Sequence, residues 1–408
     1  MQAITKFSDL IKRHDPWLRL IVCMVLFYGA VSAQAGPREQ AKRLHDRIAG
    51  VPSSNGELDI LADLIDGSQP GTVEDAAYRV MDHPDFYNVT LKNMVTPWTN
   101  EAQTPFAPLN DYTATVIGMV RDDVPFNTLL SADLLYVVDD AQGLPAYAMN
   151  SNAHYQSAEN QGIDLQAHLV QRQQSLLTDL PAGATAGVIT TRASAEAFFV
   201  AGTNRAMLRF TLMNHLCSDL EPLKDTTLSP DRIRQDVSRS PGGDSRIFLN
   251  SCIGCHTGMD PLAQAYAYYD YDSSAARLVY NDIGTIDAES GSRVQGKYLI
   301  NADNFAPGFV TPDDRWDNYW RRGINSHLGW DGGLSGGGYG AKSMGQELGN
   351  SQAFASCQAK KVFRSVCLRD PVDSGDRNRV ATMTSAFIND GYRFKRLFAE
   401  AGSYCMGD

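Results

Sequence analysis

The chain has 408 residues, 43% hydrophobic and 20% charged, with a formal net charge of −11 at neutral pH. That length supports substantial buried cores, and the composition excludes a wholly disordered chain. The acidic balance argues against nucleic acid and anionic membrane surfaces as partners, because phosphate binding depends on clustered Lys and Arg.

At the N-terminus, Lys6, Lys12, Arg13 and Arg19 surround the approach to an uncharged, mainly apolar run from Leu20 to Ala30. Ala33-Gln34-Ala35 follows in the small-x-small pattern of a signal-peptidase site. These features predict a signal peptide over residues 1–35, cleaved before Gly36, and a periplasmic or otherwise exported protein. An uncleaved anchor is the competing reading, but the run is short against the roughly 20 residues of a spanning helix. No later apolar run is long enough, so no transmembrane span is expected after cleavage. Removing residues 1–35 removes four basic and two acidic side chains, taking the charge from −11 to −13. Such a surface suits a basic redox partner through electrostatic steering, although on net charge alone simple solubility is the better account.

The patterning predicts a mainly α fold: an N-terminal helical region over 36–150, a middle helical region over 151–245 and a third unit over 246–408. In the first, helix-like stretches alternate with turn signals such as Val51-Pro52-Ser53-Ser54-Asn55-Gly56 and Gln69-Pro70-Gly71. In the second, Ala193–Val200 and Asn204–Cys217 read as two helices divided by Gly202. Leu208, Leu212, His215 and Leu216 form an apolar-leaning stripe on the latter. Ser240-Pro241-Gly242-Gly243-Asp244 is the clearest turn of the connector that follows. Beyond a glycine-rich loop at 329–340, Ser351 is placed to cap a helix running to about Arg369, with Ala355, Ala359, Val362 and Val366 on one face. A last helix near 377–389 groups Val380, Met383, Thr384 and Phe387.

Cys252-Ile253-Gly254-Cys255-His256 has the spacing of a c-type haem attachment sequence. Two thiols separated by two residues can each add to a haem vinyl group, and the adjacent His256 then offers its imidazole to iron. The competing readings are a zinc half-site and a redox dithiol. A zinc site would want a second Cys or His pair at suitable spacing, and none is evident. Asp260-Pro261 reads as a helix start, with Asp260 as N-cap and Pro261 at the first helical position. Leu262, Ala265, Tyr266 and Tyr269 then form a stripe that either covers a haem edge or is ordinary core. Met259 follows His256 too closely to reach the opposite face of the iron.

The sixth iron ligand decides mechanism: Met or His there suits electron transfer, whereas an open position admits small molecules. Met344 is the first candidate and His327 the alternative, followed by His154, His168, His215 and an open site. The stretch Gly336–Ser343 resembles a phosphate-binding loop only superficially, lacking Gly before Lys342, and no nucleotide site is expected. The sequon at Asn88-Val89-Thr90 carries no weight outside a eukaryotic-type secretory route. Asp122-Asp123, Asp139-Asp140 and Asp313-Asp314 read as solvated or capping carboxylates.

Seven cysteines occur. Cys23 leaves with the signal and two belong to the motif, so Cys217, Cys357, Cys367 and Cys405 remain as an even set in an oxidising compartment. Cys357 and Cys367 lie on one predicted helix, about 15 Å apart along its axis. Disulfides tolerate only about 7 Å between Cα atoms, which leaves Cys217 bridged to one of them and Cys405 to the other.

The segment from Cys252 to Asp270, with Met259-Asp260-Pro261 after the motif and Tyr269-Asp270 at its end, resembles the haem motif of the planctomycete-type cytochrome c proteins. Leu348, Phe354, Cys357, Val362, Phe363, Arg369 and Asp370 are similar to the C-terminal helical module of that group, and Asn214-His215-Leu216-Cys217 to the module before the haem. The likeness covers about residues 205–400 and departs at Leu262-Ala263, where the group has Gly and an apolar residue. It implies one covalent haem c on Cys252 and Cys255, with His256 as proximal ligand and metal-binding residue. The expected function is an exported monohaem electron-transfer protein. A haem enzyme acting on a small molecule at an open iron, and an envelope binding or assembly protein with structural or sensory haem, are the alternatives.

Overall fold

A computed structural model describes residues 35–199, 203–233, 245–298 and 309–407. Residues 1–34 of the expected signal peptide, Gly202 and the expected turn at 240–244 lie outside the described residues. The chain is mainly helical, as its patterning predicts.

Three helices open the fold: α1 (Pro37–Ile48), α2 (Asn55–Asp66) and α3 (Val73–Met81). Each begins on a local signal. Pro37 stands in the first turn of α1, the Ser54 hydroxyl accepts the Glu57 amide at α2, and Thr72 with Asp75 forms a reciprocal capping box at α3. Ala41, Leu44, His45 and Ile48 form the buried stripe of α1. After a π-helical turn at Phe86–Leu91 comes α4 (Asp111–Arg121), whose residues 111–120 are all buried. It packs on the hairpin of β1 (Leu135–Val138) and β2 (Leu169–Arg172), with α5 (Ala153–Asn160) between the two strands in sequence. Gly118 permits that approach: a Cβ there would meet the Tyr136 ring at 2.1 Å.

The two helices expected around 193–217 form as α6 (Arg192–Phe198) and α7 (Arg205–His215). Next comes α8 (Ile253–Ala263), which carries the motif. The strands are short antiparallel pairs: β3 (Tyr269–Asp272) with β4 (Arg277–Tyr280), and β5 (Arg315–Asp317) with β6 (Gly337–Tyr339). Helix α9 (Gly340–Gly349) leads into the C-terminal layer of α10 (Gln352–Cys367), α11 (Ser374–Asn389) and α12 (Phe394–Cys405). Ser351 caps α10 by accepting the Phe354 amide at 3.1 Å, and the expected apolar faces of α10 and α11 are buried.

One apolar core contains residues from all three sequence regions, from Ala41 and Tyr136 through Leu208 and Tyr266 to Phe398. Helix α12 packs against α3 and α1, and Arg396 reaches Glu74 across that contact. Cys217 is bridged to Cys357 and Cys367 to Cys405, each pair with Cα atoms 5.3 Å apart. This is one of the two pairings that helix spacing leaves open, and it ties the end of α7 to α10 and the end of α10 to that of α12.

The carboxyl of Asp314 is buried beside β3, β4 and α9, where Gly340 donates its amide to the Asp314 carbonyl. Burial pushes this carboxyl up to about 6, against the opposing effects of a local backbone hydrogen bond and Arg293. Its folded pKa exceeds its unfolded one, so the native state binds more protons between about pH 4 and 6 and stability falls as pH rises through that window. Asp314→Asn should therefore stabilise the protein at pH 7.5 by about 1–2 kcal/mol, discounted for partial solvent screening, and give no gain at pH 4. Urea melts of both proteins at the two pH values check this, and an equal effect at both would rule it out.

Candidate functional site

The motif sits where a π-helical turn, Phe248–Cys252, passes into α8. Cys252 is the residue before the helix and Cys255 lies in its first turn, so the thiols project from neighbouring positions with His256 next to them. Neither cysteine is in a disulfide, whereas the other four described cysteines are paired. Both are partly exposed. Burial, reinforced by Glu221, pushes the Cys255 thiol up from its ordinary value, the opposite of what a nucleophilic redox dithiol requires.

Helix α8 is held rigidly on its far side. The loop 219–227 runs along it: Asp225 donates its amide to the Gly254 carbonyl at 2.9 Å, and the Thr257 hydroxyl donates to the Asp225 carbonyl at 2.8 Å. The Cys255 thiol approaches the Leu220 carbonyl at 3.7 Å. Trp320 lies so close to Gly258 that a Cβ there would stand 2.0 Å from its Nε1.

His256 faces the other way, its side chain 17% exposed, with the Phe248 ring 5.0 Å away between centroids. Its Nδ1 lies 3.2 and 3.1 Å from the two carboxylate oxygens of Asp260, one turn on. Asp260 is fully buried and also takes a bidentate pair from Arg205 of α7, Nε and Nη2 each at 2.8 Å. Burial alone would raise this carboxyl, but Arg205 and His256 hold it well below the usual carboxylate range. A charge-assisted bidentate pair of this kind is the strong form of the interaction.

The structure corrects the role read for Asp260-Pro261. Asp260 does not cap a helix and Pro261 is not its first residue, because α8 starts at Ile253 and runs through both. The physical reason is long-range: Arg205 and His256 occupy the Asp260 carboxylate, and the preceding π turn supplies the helix start. Leu262, Ala265, Tyr266 and Tyr269 all belong to the main core.

The residues read from the sequence as candidate second ligands are scattered. Met344 is fully buried in the main core on α9, which packs on the turn at 264–266 beyond the end of α8. That turn lies roughly 12–15 Å along the helix direction from His256. His154 has both nitrogens engaged, Nε2 accepting the Val138 amide at 3.0 Å and Nδ1 donating to the Pro145 carbonyl at 2.7 Å. His168 is bonded to Asp139 and Gln142 beside the β1–β2 hairpin. His215 is buried, with Nε2 2.6 Å from the Tyr112 hydroxyl and its ring among Trp98, Tyr112 and Phe354. His327 is exposed, with Nδ1 bonded to the Ile324 carbonyl. Its segment, Gly323–Leu328, is joined through Asn325 to Leu223 in the loop that braces α8.

The residues present fit a covalently held haem. Two unpaired thiols at the required spacing precede a histidine whose Nδ1 is engaged and whose Nε2 has no partner among the described residues. Exposed apolar side chains, Ile247 at 47% and Leu249 at 53%, flank the motif. Among the described residues no three His, Cys, Asp or Glu side chains are gathered to hold a bare metal ion, as a zinc site would require. Arg205 went unnoticed in the sequence because it lies 55 residues from Asp260; the four-residue spacing of His256 and Asp260 was the available clue.

The acidic pairs behave as structural groups. Asp122 pairs with Arg121 and accepts from Tyr136, while Asp139 caps a short turn and holds His168. Asn88 spends its carboxamide on Ile163 and Leu165. No helix among the described residues is long and apolar enough to cross a membrane. No protein-family model, curated protein or solved structure matches the chain.

Proposed function

We propose that the chain is an exported monohaem c-type cytochrome acting in electron transfer, with haem on Cys252 and Cys255 and His256 as proximal ligand. The observation that carries this reading is the pair of unpaired thiols at the head of α8 beside a histidine oriented through Nδ1. When bound, haem supplies an iron that exchanges one electron between ferric and ferrous states. Cys252 and Cys255 tether the group, each S–H adding across a vinyl double bond so that sulfur takes one carbon, hydrogen the other, and nothing leaves. His256 offers Nε2. Phe248, Ile247 and Leu249 provide apolar surface that would exclude water from one side, and the bracing of Gly254, Thr257 and Gly258 limits reorganisation. The net charge, −11 for the whole chain and −13 without residues 1–35, suits a basic redox partner.

The carboxylate behind His256 favours one second reading, a haem enzyme with an open sixth position. An anionic partner on the proximal histidine raises its basicity and stabilises oxidised iron. The optical spectrum of protein expressed with haem-maturation machinery separates the two. A low-spin spectrum indifferent to carbon monoxide is the expected result. A high-spin ferric form, or ready binding of carbon monoxide to the ferrous form, would replace the carrier by the enzyme. Protein without covalent haem would end both.

A further inference from the structure

The bond between His256 and Asp260 is built from more than two residues. Asp260 is one turn beyond His256 on α8, and Arg205 opens the neighbouring helix α7. Arg205 reaches both carboxylate oxygens through two different nitrogens, which fixes the plane of the carboxylate. The same oxygens face His256 Nδ1. The start of α7 is anchored independently. Asn204 has a left-handed backbone with φ of 55° and donates its amide to the Tyr266 and Tyr269 carbonyls at 3.2 and 2.9 Å. Those carbonyls belong to the chain just beyond α8, so the two helices are tied at both the ion pair and the following turn.

We propose that Arg205 and Asp260 form a positioning pair that locks His256 with its proton on Nδ1 and its Nε2 outward, and that Arg205 limits how much of the carboxylate's charge reaches the ring. This rests on the haem reading for its effect on iron, but its first half holds in the apoprotein. A full carboxylate charge behind a ligand histidine draws the ring toward imidazolate and favours ferric iron. A guanidinium on the same carboxylate offsets part of that pull. The pair therefore sets the potential from the proximal side, by a buried side-chain carboxylate.

The test has two parts. Nitrogen-15 histidine NMR of the apoprotein should find His256 as the Nδ1-protonated tautomer, and Asp260→Asn should mix the two tautomers. The Nε2-protonated form in the unsubstituted apoprotein would overturn the proposal whatever the haem result. In haem-loaded protein, Asp260→Asn should move the ferric–ferrous equilibrium at least tenfold toward ferrous, about 59 mV upward for one electron. Arg205→Lys, which keeps the charge but cannot form the two-point clamp, should broaden the iron–histidine stretching band and leave the amount of covalent haem unchanged. Should Asp260→Asn fail to fold once Arg205 loses this carboxylate, the Arg205→Gln/Asp260→Asn protein replaces the ion pair with two amides and should still shift the potential upward, by less than the single variant because the guanidinium's charge is removed as well. An unchanged potential in both would overturn the proposal, whereas failure to load haem at all would count against the haem reading alone.

Discussion

Cys252→Ala/Cys255→Ala protein, expressed with haem-maturation machinery, should carry no haem through a denaturing gel, while the unsubstituted chain stains strongly. Each thioether forms from one thiol and one vinyl group, so the two bonds are chemically independent. Either single alanine variant should therefore retain haem on the gel through its remaining bond. His256→Ala should also retain covalent haem but lose the iron–nitrogen bond, which would appear as altered spin state. The three classes of variant thus dissociate attachment from ligation, and no zinc or dithiol site behaves this way. A zinc site would lose its metal in every variant, and a dithiol would lose a disulfide that forms on mild oxidation. Covalent haem surviving in the double variant would place the attachment elsewhere and sink the assignment. The thiols are partly exposed, and the bracing of α8 falls on Gly254, Thr257 and Gly258. The fold should consequently tolerate these substitutions.

How far the sequence speaks depends on the range of the interaction concerned. Helix α10 was legible because Ser351 caps it locally and its buried face repeats at helical spacing. The disulfides were legible only in part: the separation of Cys357 and Cys367 on that helix removes one of three pairings, and which of the other two forms depends on where α7 and α12 pack. Cys252, Cys255 and His256 stand together at the head of α8 because they lie within five consecutive residues. Asp260-Pro261 failed by the same logic. Local rules make this dipeptide a helix start, but a buried ion pair to Arg205 outweighs a capping bond that a π turn had already made unnecessary. The short strands β1 to β6 were not anticipated, since three or four residues give little periodicity and each gains its place by pairing and burial. Met344 shows what spacing leaves out: the sequence marks a methionine after a glycine-rich loop but not the burial of its side chain in the core on α9. The buried face that holds it becomes visible only when α9 is set against the turn that ends α8.

Removing the Cys217–Cys357 bridge should cost the most stability of any change outside the motif. The bridge closes a sequence separation of 140 residues, against 38 for Cys367–Cys405. Chain entropy alone then assigns about 5 kcal/mol to the first and about 4 kcal/mol to the second. Either is a large fraction of the 5–15 kcal/mol typical of a folded protein. The first bridge also has a local consequence. Cys217 opens the run that continues through Leu220 and Asp225, the residues that meet Cys255 and Gly254. Freeing this end of the loop should loosen the brace on α8, so Cys217→Ser/Cys357→Ser protein should both unfold at lower urea and accumulate less covalent haem. The Cys367–Cys405 bridge joins α10 to α12 with no such link to the loop, so Cys367→Ser/Cys405→Ser protein should lose stability while loading haem normally below its melting temperature. Urea melts and haem stain on the same preparations measure both quantities. Equal haem loading in the two variants would show that the loop is held by its own hydrogen bonds, and a loss under about 1 kcal/mol for the first would show that the unfolded chain was already constrained there.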